Sequence, residues 1–138
     1  MGQSVFPAPG GGFPWDRARP VGAELVTSLA SLQTVVSVTG RGLVKIGISS
    51  ADGVDRQARV VITIDGVVVS DFADASLASV GAMMGYGSGA TGGIGNYSAV
   101  SQFRVHEIPY IGFRSSLLVQ VSTTSGGSVR CVAEVITV

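Results

Sequence analysis

The residue types that most often carry chemistry are scarce in this sequence. His106 is its only histidine and Cys131 its only cysteine, so it offers no second ring nitrogen or thiolate for a metal centre built on nitrogen or sulfur. A Ser-His-Asp site needs a serine on a sharp turn beside the base, and no G-x-S-x-G is present. We therefore expect no enzyme activity and no cofactor, and we interpret His106 as a surface or interface residue.

Two short patterns resemble ligand-binding loops. Gly87-Ser88-Gly89-Ala90-Thr91-Gly92 spells G-x-G-x-x-G, but a dinucleotide site needs a strand before it and a helix after it, and neither pattern is present. Asp52-Gly53-Val54-Asp55 lacks the twelve-residue series of oxygen ligands of a calcium loop. We interpret the first as a mobile or interface loop and the second as a turn. A calcium site with oxygen ligands alone stays open, with the candidates Asp52, Asp55, Asp71 and Asp74.

The composition excludes several classes of protein. The 138 residues include nine Lys plus Arg and nine Asp plus Glu, so the basic surface of a nucleic-acid-binding protein is not expected. A hydrophobic content of 46% argues against a disordered chain. No apolar run reaches the length of about 18 residues that a membrane-spanning helix needs, and the N-terminus lacks the pattern of a secretion signal. We expect one folded domain without a nucleic-acid or membrane partner.

From about Leu25 onward, apolar and polar residues alternate with the period of two that is typical of a strand with one buried face. Val44, Ile46 and Ile48 form one such series, and Cys131 lies in another, where we expect a buried thiol. Asp65-Gly66 between two β-branched runs predicts a type I′ hairpin. About seven or eight strands of this kind predict an all-β fold, an antiparallel β-sandwich that is jelly-roll-like.

Two segments depart from this alternation. Residues 1–24 are rich in proline and glycine and predict an extended N-terminal arm before a sandwich domain of residues 25–138. Residues 71–98 are predicted to form an inserted loop that starts with a short helix capped by Asp71 or Asp74 and continues as a glycine-rich stretch. The large apolar side chains of these segments are predicted to be interface residues: Phe6, Phe13, Trp15, Met83, Met84, Tyr86, Ile94 and Tyr97.

Four segments together resemble a pattern common in small bacteriophage structural proteins: GRGLVKIGISS, RVVITIDGVVV, IGFRSSLLVQVS and VRCVAEVITV. The match covers about residues 36–70 and 110–138 and consists of turns and alternation. The resemblance implies a virion component of the capsid-decoration or tail-accessory type, made in the host bacterial cytoplasm. It also implies assembly as a trimer or larger ring and contacts with other virion proteins. The glycine-rich insertion departs from the pattern, and no functional residue is carried over.

Two functions stay open at this point. The first is a non-enzymatic homo-oligomer that decorates or cements a phage capsid, with residues 1–24 lying on a neighbouring subunit. The alternative is a tail or fibre module that binds a receptor or glycan by stacking sugars on aromatic rings. The candidates for stacking are Trp15, Tyr86, Tyr97 and Tyr110.

Overall fold

A computed structural model of the chain describes residues 19–52, 56–77, 82–88, 94–101, 108–124 and 126–138. The predicted interface residues Phe6, Phe13 and Trp15, and the single histidine His106, lie outside these ranges. Within them lie ten strands: β1 (Arg19–Thr27), β2 (Gln33–Thr39), β3 (Gly42–Ser50), β4 (Arg56–Ile64), β5 (Val67–Leu77), β6 (Ala82–Ser88), β7 (Ile94–Ser101), β8 (Ile111–Phe113), β9 (Ser116–Thr123) and β10 (Val129–Thr137). A search of the described residues for a helix long and apolar enough to span a membrane finds none.

The strands form two antiparallel sheets. One sheet has the order β1-β10-β3-β6-β7, with β8 paired to β3, and the other has the order β2-β9-β4-β5. The pairs are nested, because β1 joins β10, β2 joins β9, β3 joins β6 and β4 joins β5. This is the connectivity of a jelly roll, to which β7 and β8 are added between β6 and β9. The predicted jelly-roll-like antiparallel sandwich is confirmed.

The inner faces of the two sheets pack into one apolar core. Alternation places Val44, Ile46 and Ile48 of β3 on the inner face with no exposed surface, together with Cys131 of β10. The opposite sheet contributes Ala58, Val60, Ile62, Leu117, Val119 and Val121. The prediction of a buried thiol is confirmed, and burial raises the pKa of Cys131 to about 12, which makes it a poor nucleophile.

The β4–β5 hairpin closes at the predicted residues. β4 ends at Ile64 and β5 begins at Val67, which leaves Asp65 and Gly66 as the two turn residues. Their φ angles are 52° and 83°, and a type I′ turn requires positive φ at both positions. The predicted hairpin is confirmed.

The sandwich begins earlier in the chain than predicted. Residues 19–24 belong to β1, which pairs with β10 from Arg19 to Thr27, so the predicted boundary at residue 24 is wrong. Pro20 does not prevent this pairing, because β1 is the edge of its sheet and an edge strand tolerates a missing N–H donor. β1 begins at Arg19, which is also the first residue that the structure describes.

The segment 71–98 contains strands instead of the predicted helix and loop. Residues 71–77 continue β5, so the helix predicted to start at Asp71 or Asp74 is wrong. β6 and β7 pair with each other, and β6 also pairs with β3. The physical reason is that the open edge of β3 supplies hydrogen-bond partners, and this tertiary pairing outweighs the weak strand preference of small residues.

Candidate interaction site

Three turns meet at one end of the sandwich. They are Gly40–Arg41 between β2 and β3, Asp65–Gly66 between β4 and β5, and Arg114–Ser115 between β8 and β9. The backbone N–H of Gly40 donates to the carbonyl oxygen of Ser115 at 2.8 Å, and the N–H of Asp65 donates to that of Ser116 at 2.9 Å. These bonds hold the turns together as one surface.

The carboxylate of Asp65 fixes the turn between β8 and β9. It accepts the backbone N–H groups of Arg114, Ser115 and Ser116 at 3.0, 2.7 and 3.1 Å, and the hydroxyl of Ser115 at 3.0 Å. Hydrogen bonds to the charged form, led by the N–H of Ser115, lower the pKa of Asp65 to about 2. Asp65 is therefore a structural hydrogen-bond acceptor, and its carboxylate stays negatively charged at neutral pH.

The three turns enclose a cleft of about 680 Å³, which we call the end cleft. Its lining includes Arg41, Gly42, Asp65, Gly112 and Arg114. Of the arginines in the described ranges, Arg114 has a guanidinium group that makes no hydrogen bond or ion pair. A cleft of this size suits a short peptide or a small organic molecule, and a planar guanidinium suits a carboxylate.

The residues directly after the Asp65–Gly66 turn form an exposed apolar strand end. Val67, Val68 and Val69 are 62%, 56% and 43% exposed, and we call this segment the valine edge. Among the described strands, β5 pairs with β4 alone and is the edge of its sheet. Native edge strands are normally protected by charged side chains, proline or bulges. The valine edge carries no charge or proline over these three residues, although its register with β4 shifts at Val69, between the pairs Ile62–Ser70 and Thr63–Val68. Its three exposed apolar side chains still give it the character of a contact surface.

Asp71 lies further along β5 and forms an ion pair on the sheet surface. Its two carboxylate oxygens accept Nε and Nη2 of Arg59 at 2.8 and 2.7 Å. This bidentate contact lowers the pKa of Asp71. Asp52, near the other end of the sandwich, accepts the Ser50 hydroxyl at 3.0 Å and the Ser128 N–H at 3.3 Å. In the described residues no group of three potential metal ligands occurs; Asp55 and the side chain of Asp74 lie outside what the structure describes.

A cluster of charged and aromatic side chains lies on the outer face of the larger sheet, and we call it the lysine cluster. Nζ of Lys45 lies 3.2 Å from Oε2 of Glu134 and 4.7 Å from the centroid of the Tyr110 ring. The Lys45 side chain is 3% exposed and that of Glu134 is 53% exposed. Burial, followed by the charge of Glu134, raises the pKa of Tyr110. The lysine charge is balanced inside the chain, so this cluster is structural.

Tyr86 is a core residue, so its predicted role at an interface or in sugar stacking is wrong. Its side chain has no exposed surface, because β6 pairs with β3 and sets Tyr86 opposite Ile46. Burial raises the pKa of its hydroxyl, with a smaller contribution from Cys131. A lone aromatic residue in a glycine-rich stretch shows no alternation of apolar and polar residues. The core position of Tyr86 could therefore not be predicted from the sequence.

The other predicted interface residues of this region lie on two neighbouring strands. Met83 and Met84 are on β6, and Ile94 and Tyr97 are on β7. The register sets Met83 opposite Val100 and Tyr97 opposite Gly85, and β7 is an edge of the larger sheet. Their role in an interface stays a prediction.

Sequence reasoning missed the end cleft and the valine edge. Arg41 and Arg114 are single arginines in separate turns, and only folding brings them to one cleft. The three consecutive valines did carry a signal, because an uninterrupted apolar run after a hairpin turn does not match a strand with one covered face.

Comparison with known proteins gives no family for this chain. No family model matches the sequence, and no curated protein matches it. Among solved structures, a mutant VP2 protein of infectious bursal disease virus, in derived T=1 particles, is similar with a TM-score of 0.30 and 15% identity. The alignment covers 88% of this chain and 32% of the viral protein, so the chain spans about a third of that protein's length.

Proposed function

We propose that this protein is a non-enzymatic structural subunit of a bacteriophage particle. It decorates or cements the capsid as a homo-oligomer and contacts neighbouring virion proteins through the valine edge. The observation that carries the proposal is the exposure of Val67, Val68 and Val69 on an open strand. The resemblance of the turns and strands to small phage structural proteins supplies the biological setting.

The energetics of the valine edge favour a covering partner. Each valine still exposes about half of its side chain, and covering it contributes about 1 kcal/mol. An added strand also satisfies the outward N–H and C=O groups of β5, which supports pairing with another chain. Cys131, the single cysteine, is buried, so the proposed role does not depend on it as a nucleophile.

Sedimentation with particles tests the role of the valine edge. Purified protein is mixed with phage particles assembled without it, and we expect it to pellet with them. The triple variant Val67→Thr/Val68→Thr/Val69→Thr keeps the branched shape and strand preference of valine, and we expect it to stay in the supernatant. The matched control is Val26→Thr, because Val26 is 53% exposed on β1, and it should pellet like the wild type.

Light scattering tests the oligomeric state separately. We expect a trimer or larger assembly for the wild type and for the triple variant. A monomeric wild type would contradict the homo-oligomer. A triple variant that falls apart would assign the valine edge to self-association, and pelleting that survives the triple substitution would remove it from the capsid contact.

A further inference from the structure

We infer that a small pocket on the outer face of the larger sheet receives Trp15 of a neighbouring copy of this chain. The inference rests on the proposed homo-oligomer and names a contact between its subunits. We call the site the glycine pocket, and it is lined by Gly22, Lys45, Val132, Ala133 and Glu134. Trp15 itself lies outside the described residues.

The fold of the described chain does not require a glycine at position 22. Gly22 lies inside β1, whose register with β10 runs without a shift from Arg19 to Thr27, and its backbone does not have the positive φ that favours glycine. A Cβ atom built on it would meet nothing within 4 Å. A glycine inside a strand weakens the strand and often marks the close approach of another chain or a ligand. The space over Gly22 is therefore open to a partner.

The glycine pocket lies in a row of three residues that crosses three strands. The register sets Gly22 of β1 opposite Glu134 of β10, and Glu134 opposite Lys45 of β3. Oε2 of Glu134 pairs with Nζ of Lys45 at 3.2 Å. This ion pair holds the carboxylate on the Lys45 side of β10, which leaves the Gly22 side of the row empty.

The size and charge of the pocket suit one large uncharged side chain. Its volume is about 230 Å³, below the roughly 300–1,000 Å³ that is usual for the site of a drug-sized ligand. Its wall is mostly apolar and includes Val132. Lys45 and Glu134 neutralise each other, so a charged occupant would meet no unpaired opposite charge. An aromatic ring packed over a strand glycine covers the backbone that the glycine exposes.

Tryptophan matches the pocket better than phenylalanine does. A buried indole needs an acceptor for its N–H group. Glu134 lines the pocket with a side chain that is 53% exposed, and its ion pair with Lys45 uses Oε2, so Oε1 can accept the indole N–H. Trp15 is the single tryptophan of the chain and lies four residues before the start of β1.

The place of Trp15 in the sequence favours a neighbouring copy over the same chain. Gly22 lies three residues into β1, about 10 Å along the strand from Arg19. Trp15 would have to turn back within residues 16–18 to reach its own Gly22, and these residues include no glycine or proline to reverse the chain. A neighbouring copy needs no such turn. Among the described strands β1 is an edge of its sheet, so its open side is accessible to another subunit.

Intrinsic fluorescence tests the contact, because all tryptophan emission comes from Trp15. In the wild-type assembly we expect emission at short wavelength and resistance to quenching by acrylamide. Gly22→Val fills the pocket, so it should shift the emission to longer wavelength and promote dissociation on dilution. The same variant gains strand preference and should raise the urea midpoint of unfolding. Gly112→Val is the matched control, since its new Cβ would meet only Cδ2 of Leu43 at 3.8 Å, and it should leave the emission unchanged.

Two variants in one assembly test whether the contact joins different copies. Trp15→Ala keeps the pocket and has no tryptophan, whereas Gly22→Val keeps the tryptophan and lacks the pocket. The two full chains carry different affinity tags, are co-expressed and are purified over both tags. The emission then comes from the Gly22→Val chains alone, and we expect it to return toward the short wavelength of the wild type. Failure of the two variants to co-purify, under conditions where two tagged wild-type chains do, would contradict the contact.

The remaining outcomes overturn the inference and identify another occupant. Equal emission from the wild type and Gly22→Val, or an exposed tryptophan in the wild-type assembly, excludes Trp15 from the pocket. Long-wavelength emission that persists in the mixed assembly assigns the pocket to Trp15 of the same chain. Unchanged emission in Gly22→Val together with lost pelleting assigns it to a capsid protein. A monomeric wild type rejects the homo-oligomer as well, whereas a stable oligomer with unchanged emission rejects the Trp15 contact alone.

Discussion

β3 and β5 are both apolar strands, yet they occupy opposite environments. β3 lies between β10 on one side and β6 and β8 on the other, and every residue from Val44 to Ser49 is buried. β5 has a neighbour on one side only, and its first three residues are exposed. The comparison teaches that a strand's surroundings, rather than its own composition, decide how much of it is covered. Two neighbouring strands are not sufficient by themselves, because β10 also has two and leaves Glu134 exposed.

The two strands depart from simple alternation in opposite directions. β3 buries polar side chains, since Lys45 is 2% and Ser49 3% exposed, and Oγ of Ser49 is the buried side-chain atom without a hydrogen-bond partner among the described residues. β5 exposes apolar ones. A buried lysine is tolerated because Glu134 pairs with it. Exposed valines have no such compensation within the described chain, and a partner that covers them would provide it.

The largest expected effect comes from filling the space at the start of β3. In Gly42→Ala the new methyl group would lie about 2.5 Å from Cζ of Phe113 and nearer still to the carbonyl oxygen of Ile136. The backbone of β10 cannot easily move, so we expect a loss of about 3 kcal/mol in the free energy of unfolding. Urea denaturation measures it. Gly112→Ala is the control, because its methyl group would meet only Cδ2 of Leu43 at 3.8 Å, and an equal loss in both variants would contradict this packing.

The same truncation of valine to alanine in β3 and in β5 tests the comparison directly. Val44→Ala removes two carbon atoms from a side chain with no exposed surface, and the lost burial plus the cavity should cost about 2.5 kcal/mol. Val68→Ala acts on a side chain that is 56% exposed and should cost less than about 0.5 kcal/mol. Both values come from urea denaturation of the monomer or of the smallest stable assembly. Similar costs would mean that β5 is covered as well as β3.

Sequence periodicity predicts what depends on neighbours along the chain. It located β3, β10 and the Asp65–Gly66 hairpin, because alternation and turn chemistry are local. It could not predict β6 and β7, since their small residues carry no period and they form by pairing with β3. Periodicity could not predict the end cleft either, because the carboxylate of Asp65 accepts the N–H of Arg114, which is 49 residues away along the chain.

The lysine cluster tests how β3 tolerates a buried charge. In Glu134→Gln the ammonium of Lys45 loses its carboxylate partner and keeps the Tyr110 ring. Because Glu134 itself is half exposed, we expect a loss of about 1 kcal/mol rather than the larger penalty of a fully buried pair. The double variant Lys45→Met/Glu134→Gln removes the unpaired charge and should recover that loss. A double variant less stable than Glu134→Gln would show that Lys45 contributes mainly through its contact with the Tyr110 ring.

The smallest expected effect concerns the turn that begins β5, and it depends on pH. The pKa of Asp65 is lowered from 3.8 to about 2 in the folded chain, so its carboxylate stabilises the fold above pH 3.8, and this contribution disappears as the pH falls toward 2. Asp65→Asn removes the charge, while asparagine still tolerates the positive φ of 52° at this position. We therefore expect the difference in Tm between the wild type and this variant to be constant near neutral pH and to shrink between pH 4 and pH 2. Ser115→Ala removes one hydroxyl donor and leaves three N–H donors to Asp65, so it should give a smaller difference over the same pH range. If the Asp65→Asn difference stayed constant down to pH 2, the carboxylate charge would not be what holds the turns of the end cleft together.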